Sequence, residues 1–280
     1  MKRILITLTA CVLGFAAMAQ NVPEGTETAV SNNSKQYLPQ AGDFGVGIDG
    51  SPIFYYIGNM FNGTVSNSLN LDDNTLYFRY FLDDNAAIRA RVNINSNSNF
   101  EKFLVRDDAA FMVDPLSNRQ LEDFRTTSFQ DYQLSLGYQM FKGTNRLRGF
   151  YGADLGFGYS RNSITYEYAN QMTQANTAPT TFNGNVATRT LVEKGSPVIN
   201  VGLGVFAGGE YYIMPKFCIG VELGFTYFYE YIGQAYRTQE TMVNTQHVEQ
   251  EIVLNAGGTS WNAWTTMPYM YGSLYFMFHF

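Results

Sequence analysis

Hydrophobic and polar residues alternate one by one along much of this chain. That is the periodicity of a β-strand, whose successive side chains point to opposite faces. The cleanest run spans residues 217–231. Phe217, Ile219, Val221, Leu223, Phe225, Tyr227, Tyr229 and Tyr231 share one face; Cys218, Gly220, Glu222, Gly224, Thr226, Phe228 and Glu230 share the other. The last stretch, 266–280, reads the same way, with Phe276, Phe278 and Phe280 on an apolar face and Tyr275, Met277 and His279 opposite. The pattern recurs at about 43–49, 75–82, 86–95, 128–141, 150–168 and 198–214, which predicts eight strands.

The connections between these strands alternate in length. Asp83-Asp84-Asn85, the polar stretch 142–148 and Pro215-Lys216 are short turns. The segments 53–74, 96–127, 169–197 and 234–265 are long and rich in Asn, Thr, Gln and Ser. Strict short–long alternation is the habit of a transmembrane barrel, with short periplasmic turns and long extracellular loops. A long apolar strand at a chain end invites aggregation if its edge is bare, and closure against the first strand removes that edge. A soluble barrel would point its apolar face inward, whereas here the inward parity collects Gly, Asp, Glu and Arg. The chain therefore reads as all-β: a closed antiparallel transmembrane β-barrel of eight strands. Ten strands is the alternative, because Phe103-Leu104-Val105 and 109–113 have the makings of an extra hairpin. Residues 163–168 and 247–254 look like strand continuing beyond the membrane.

Composition narrows the class. Charged residues make up 15% of the chain, against about 25% in ordinary globular domains. Aromatics reach 16%, yet mean hydropathy is only −0.17. No later segment approaches the roughly 20 apolar residues of a membrane-spanning helix. The formal charge of −6 argues against a nucleic-acid partner. Met1-Lys2-Arg3, an apolar core and Ala17-Met18-Ala19 predict a secretory signal peptide at 1–19; Leu8-Thr9-Ala10-Cys11 is a competing lipoprotein signal. A flexible periplasmic leader is expected at 20–41 and the barrel at 42–280. Loss of the signal would leave Cys218 as the only cysteine.

The inward charges are the main candidate site. Arg79, Arg89 and Arg91 face Asp49, Asp131, Asp154, Glu210, Glu222 and Glu230 on other strands. Eight strands enclose an interior just wide enough for side chains to fill, so these groups should pair across the lumen. They would form either a structural ion network or an ion path and gate. Enzyme signals are thin. His247 lies near Glu249 and Glu251, and His279 points inward near the terminus, but neither has a nucleophile at a telling spacing. No enzymatic activity, cofactor or metal site is expected.

Leu134-Ser-Leu-Gly-Tyr-Gln-Met-Phe141, the stretch from Phe150 to Tyr159 and Gly272-Ser-Leu-Tyr-Phe-Met-Phe-His-Phe280 resemble small outer-membrane barrels of the OmpA/OmpX-like, porin-like type found in Bacteroides-like bacteria. The resemblance covers about residues 41–280. It implies a Gram-negative cell-surface protein in the outer membrane, contacting its lipid and inserted by the barrel-assembly machinery. That machinery would read the terminal aromatics Phe276, Phe278 and Phe280. A peptidoglycan-binding domain has no counterpart after the last strand, so a role in tying membrane to cell wall is not expected. The expected role is structural or surface-interacting, through the loops, with an extracellular ligand left unnamed. The alternatives are a narrow passive pore and, third, a barrel enzyme acting on lipid or peptide.

Overall fold

The structure is a computed structural model that describes residues 36–61, 75–264 and 274–280. The expected signal peptide at 1–19, most of the leader and the first part of the C-terminal strand lie outside the described residues.

Eight strands close a ring. They are β1 (Phe44–Asp49), β2 (Leu76–Asp83), β3 (Ala86–Arg106), β4 (Gln120–Lys142), β5 (Leu147–Glu167), β9 (Val198–Met214), β10 (Phe217–Ile232) and β14 (Leu274–His279). Neighbours in that order are all antiparallel, and β14 returns to β1 with Val46 opposite Phe278 and Ile48 opposite Phe276. Phe280 completes the seam, since its N–H donates to Phe44 O and its carbonyl accepts from Phe44 N, both at 2.9 Å.

Parity follows the sequence throughout the ring. Along β1, Phe44, Val46 and Ile48 face out while Gly45, Gly47 and Asp49 are buried. Leu203 and Leu223 are 69% and 71% exposed on the outer surface, among many aliphatic and aromatic neighbours. Such an apolar belt is stable only against acyl chains.

Beyond the ring the strands run on. β3 and β4 stay paired from Ala86 opposite Met140 to Arg106 opposite Gln120. At about 3.3 Å per residue, a 21-residue strand reaches about 70 Å, well past an apolar band of about 25 Å even when tilted. The segment expected as a loop at 96–127 is therefore mostly hairpin, capped by α2 (Asp108–Val113). The alternation weakens there because both faces are wet. Cross-strand pairs hold it instead: Phe100 stacks on Phe124 at 5.2 Å, and Arg125 Nη2 meets Glu101 at 2.7 Å. Phe103-Leu104-Val105 lies within β3 and 109–113 within α2, so no extra hairpin joins the ring and the count is eight, not ten.

The other long connections are also ordered where described. α1 (Ser51–Phe61) follows β1. A small hairpin of β6 (Thr180–Thr181) and β7 (Gly184–Asn185) precedes β8 (Thr188–Lys194). The segment 234–265, expected as a loop, holds β11 (Ala235–Val243), β12 (Gln246–Asn255) and β13 (Gly258–Trp264). β5 leaves β9 near its end and pairs with β8, which pairs with β11, which pairs with β12. A sheet of order β12-β11-β8-β5-β4-β3 thus rises from one side of the barrel.

Candidate functional site

The site is the barrel interior, filled in layers. In the middle layer β3 supplies Arg89 and Arg91, β5 supplies Asp154 and β10 supplies Glu222. Arg89 Nε donates to Asp154 Oδ1 at 2.8 Å and Arg89 Nη1 to Glu222 Oε2 at 2.5 Å; Arg89 Nη2 also pairs with Asp154 Oδ2. Arg91 Nη2 donates to Asp154 Oδ2 at 2.5 Å and Arg91 Nη1 to Glu222 Oε1 at 3.2 Å. Two guanidiniums thus share two carboxylates, and the layer is neutral. The Arg89 guanidinium lies 3.2 Å from the centre of the Phe206 ring, which closes one side by a cation–π contact.

The next layer toward the short-turn end is a second neutral unit. Arg79 Nη1 donates to Glu210 Oε2 at 2.9 Å. Glu210 also accepts from the hydroxyls of Tyr212 at 2.5 Å and Tyr275 at 3.1 Å. Below it lies an aromatic floor in which Phe81 stacks on Phe141 at 5.2 Å and meets the His279 ring at 5.5 Å. Tyr37 and Leu38, from the stretch expected as leader, pack against this floor, and the Tyr37 carbonyl accepts from Lys216 N at 2.9 Å.

Glycines make these layers fit. A Cβ on Gly137 would sit 1.8 Å from Asp154 Oδ1, and one on Gly220 would sit 2.1 Å from the Tyr275 ring. The bare backbone of β4 and β10 is the space those side chains occupy.

The structure brings together six of the nine charges picked from the sequence: Arg79, Arg89, Arg91, Asp154, Glu210 and Glu222. Each is at most 7% exposed, so desolvation makes the pairing obligatory. The other three engage different groups. Asp49 accepts from Ser51 N at 2.8 Å at the start of α1, Asp131 from Gln133 Nε2 at 2.7 Å, and Glu230 from Ser260 Oγ and Asn262 Nδ2 of β13 at 2.6 and 2.8 Å. Tyr212, Tyr275 and Phe206 also belong to the site; alternation along their strands gives their inward parity but not their contact with the charges. Of the terminal aromatics, Phe276 stacks on Phe217 at 6.2 Å, and Phe278 and Phe280 stack on each other at 6.3 Å.

A polar latch orders the top of the sheet. Asp108 accepts from Thr180 N and Thr180 Oγ1, both at 2.6 Å, and from Asn176 Nδ2 at 2.9 Å. Burial pushes the Asp108 carboxyl up, but these bonds and Arg106 outweigh it and hold the group at about 2. Asp123, fully buried on β4, accepts from Ala169 N at 2.9 Å and Phe182 N at 3.2 Å. Residues 169–182 are thereby fastened to the β3–β4 hairpin.

An eight-stranded antiparallel ring, apolar outside and charge-paired inside, with one rim extended, defines a porin-like transmembrane β-barrel. Residues 62–254 match the family described as "Putative OmpA-OmpF-like porin family", and the chain belongs to that family. No curated protein matches the chain. Among solved structures, the outer membrane protein OprG from Pseudomonas aeruginosa is similar at 10% identity, over 87% of this chain and 98% of that one, with a TM-score of 0.31. Membership of the family sets the barrel in the outer membrane; in barrels of this kind short turns belong to the periplasmic rim and long connections to the extracellular one.

Proposed function

We propose that this protein is a surface-interaction protein whose barrel is an anchor and whose extracellular sheet makes the contacts. The filled interior carries this reading. Two neutral ion layers stand over a floor of Phe81, Phe141, Phe150 and Tyr212, and little of any of these side chains is exposed. An ion crossing the lumen would have to break pairs that are desolvated and mutually satisfied, at several kcal/mol each by the usual cost of separating buried charges. The extracellular sheet, by contrast, is latched by hydrogen bonds to the buried carboxylates of Asp108 and Asp123. In this reading export runs through the signal at 1–19, and the assembly machinery reads Phe276, Phe278 and Phe280.

The test is single-channel recording in a planar bilayer with mature protein refolded in detergent, its folded state checked by heat-modifiable gel mobility. A folded sample that stays silent supports the anchor. Steady, reproducible conductance that changes in Glu222→Gln overturns it. That result would favour the second reading, a narrow pore gated by the same six charges, which the porin-like family supports.

A further inference from the structure

The extracellular hairpin of β11 and β12 brings together three groups that sequence spacing alone leaves apart. The hairpin turns on Asn244 and Thr245, both with positive φ (48° and 72°), as a two-residue primed turn requires. That turn fixes the register: Glu240 lies opposite Glu249, and Met242 opposite His247. Directly opposed residues of antiparallel strands share a face, as do residues two apart on one strand. Glu240, His247 and Glu249 therefore project from the same side, and one ligand atom from each falls within 4.8 Å of the other two.

We propose that this hairpin is a binding site for a divalent transition-metal ion of the zinc class, held by His247 Nε2 and the carboxylates of Glu240 and Glu249. Glu240 is the positioned ligand. It is buried, and its Oε1 accepts from Arg189 Nε at 2.5 Å, while Arg189 Nη1 is itself anchored on the Asn170 carbonyl at 2.8 Å. That leaves Oε2, which sits 2.6 Å from His247 Nε2. A ligating carboxylate whose second oxygen is held by a neighbouring donor is the usual outer support of a metal site. Two carboxylates opposed across strands repel, and Arg189 neutralises only one of them. A bound cation relieves the remainder.

The required movements are of side chains only: ligand atoms now up to 4.8 Å apart must close by at most about 1.5 Å. Ligand bonds of about 2.0–2.2 Å in tetrahedral array put the ligating atoms about 3.3–3.5 Å apart. The His247 ring must then retreat by under about 1 Å from Glu240, and its side chain is 41% exposed and free to do so. One imidazole with two carboxylates suits zinc or a neighbouring transition ion better than calcium or magnesium, which prefer all-oxygen shells.

The experiment titrates zinc chloride into the mature chain, purified without a histidine tag and refolded in detergent. Binding is read by calorimetry and by competition with a chromogenic chelator. Wild-type protein should take up one zinc ion per chain. His247→Ala and Glu249→Gln should each weaken binding at least about tenfold. Glu193→Gln, a half-buried acid paired with Arg237, should leave it unchanged, and calcium at the same concentrations should not compete. Heat-modifiable mobility confirms that each barrel is folded, and both ligand variants lie outside the ring. Absence of zinc uptake by the wild type, or equal uptake by wild type and His247→Ala, overturns the proposal.

Discussion

Replacing Asp154 by Asn should destabilise the barrel by about 3–5 kcal/mol, the range for breaking a buried ion pair from one side. Asp154 is 3% exposed and accepts from both Arg89 and Arg91. With Asn in its place, shape is kept, but Glu222 alone faces two guanidiniums and the middle layer carries a net positive charge away from water. An exposed pair gives the contrast. Lys102 and Glu122 approach to 3.1 Å with side chains 58% and 46% exposed, so Lys102→Ala should cost no more than about 1 kcal/mol. A second substitution sharpens the case. Arg91→Met added to Asp154→Asn restores neutrality with one guanidinium and one carboxylate, so the double variant should be more stable than the summed single effects, by about 0.5–3 kcal/mol. The assay is reversible urea unfolding in lipid vesicles, followed by far-ultraviolet circular dichroism and heat-modifiable mobility. An Asp154→Asn midpoint indistinguishable from that of Lys102→Ala, or strict additivity in the cycle, would refute the charge-balance argument.

Other outcomes follow from the same geometry. Val221→Arg places a charge on the lipid face of β10, where Val221 is half-exposed, and should cost about 2–4 kcal/mol if it lies near the bilayer centre; an unchanged urea midpoint would mean that this face does not meet lipid. Asp108 is held at about 2, below its ordinary 3.8, so its contribution is complete above pH 4 and disappears as pH falls toward 2. Pepsin should cut near residues 169–182 faster at pH 2 than at pH 4 relative to an exposed control peptide, whereas Asp108→Asn should lose most of that difference; an identical pH response in both proteins would remove Asp108 from the latch.

How much was legible in advance divides along the membrane. Within the ring, lipid outside and a crowded interior impose opposite chemistries on alternate residues, so period two was written into Phe44–Asp49, Leu76–Leu82 and Phe217–Tyr231. The short turns were equally plain, because Asp83-Asp84-Asn85 and Pro215-Lys216 interrupt that alternation. The family membership agrees with the barrel that those patterns implied. Above the membrane water wets both faces of the strands, the constraint on alternation lapses, and Asn97, Ser98 and Asn99 look like loop although each is paired with β4.

The sequence by itself thus determined the class, the parity of each ring strand and the pool of inward charges. Tertiary structure alone decided which of those charges meet. Arg89 and Glu222 are 133 residues apart, yet a hydrogen bond joins them across the lumen. Asp49, Asp131 and Glu230 have the same inward parity, and parity alone does not reveal that they accept from Ser51 N, Gln133 and Ser260. Parity is local, set by the pleat of one strand; height in the barrel depends on the register of every strand around the ring. The same holds for Glu240 and His247, which only the turn at Asn244 and Thr245 brings to 2.6 Å.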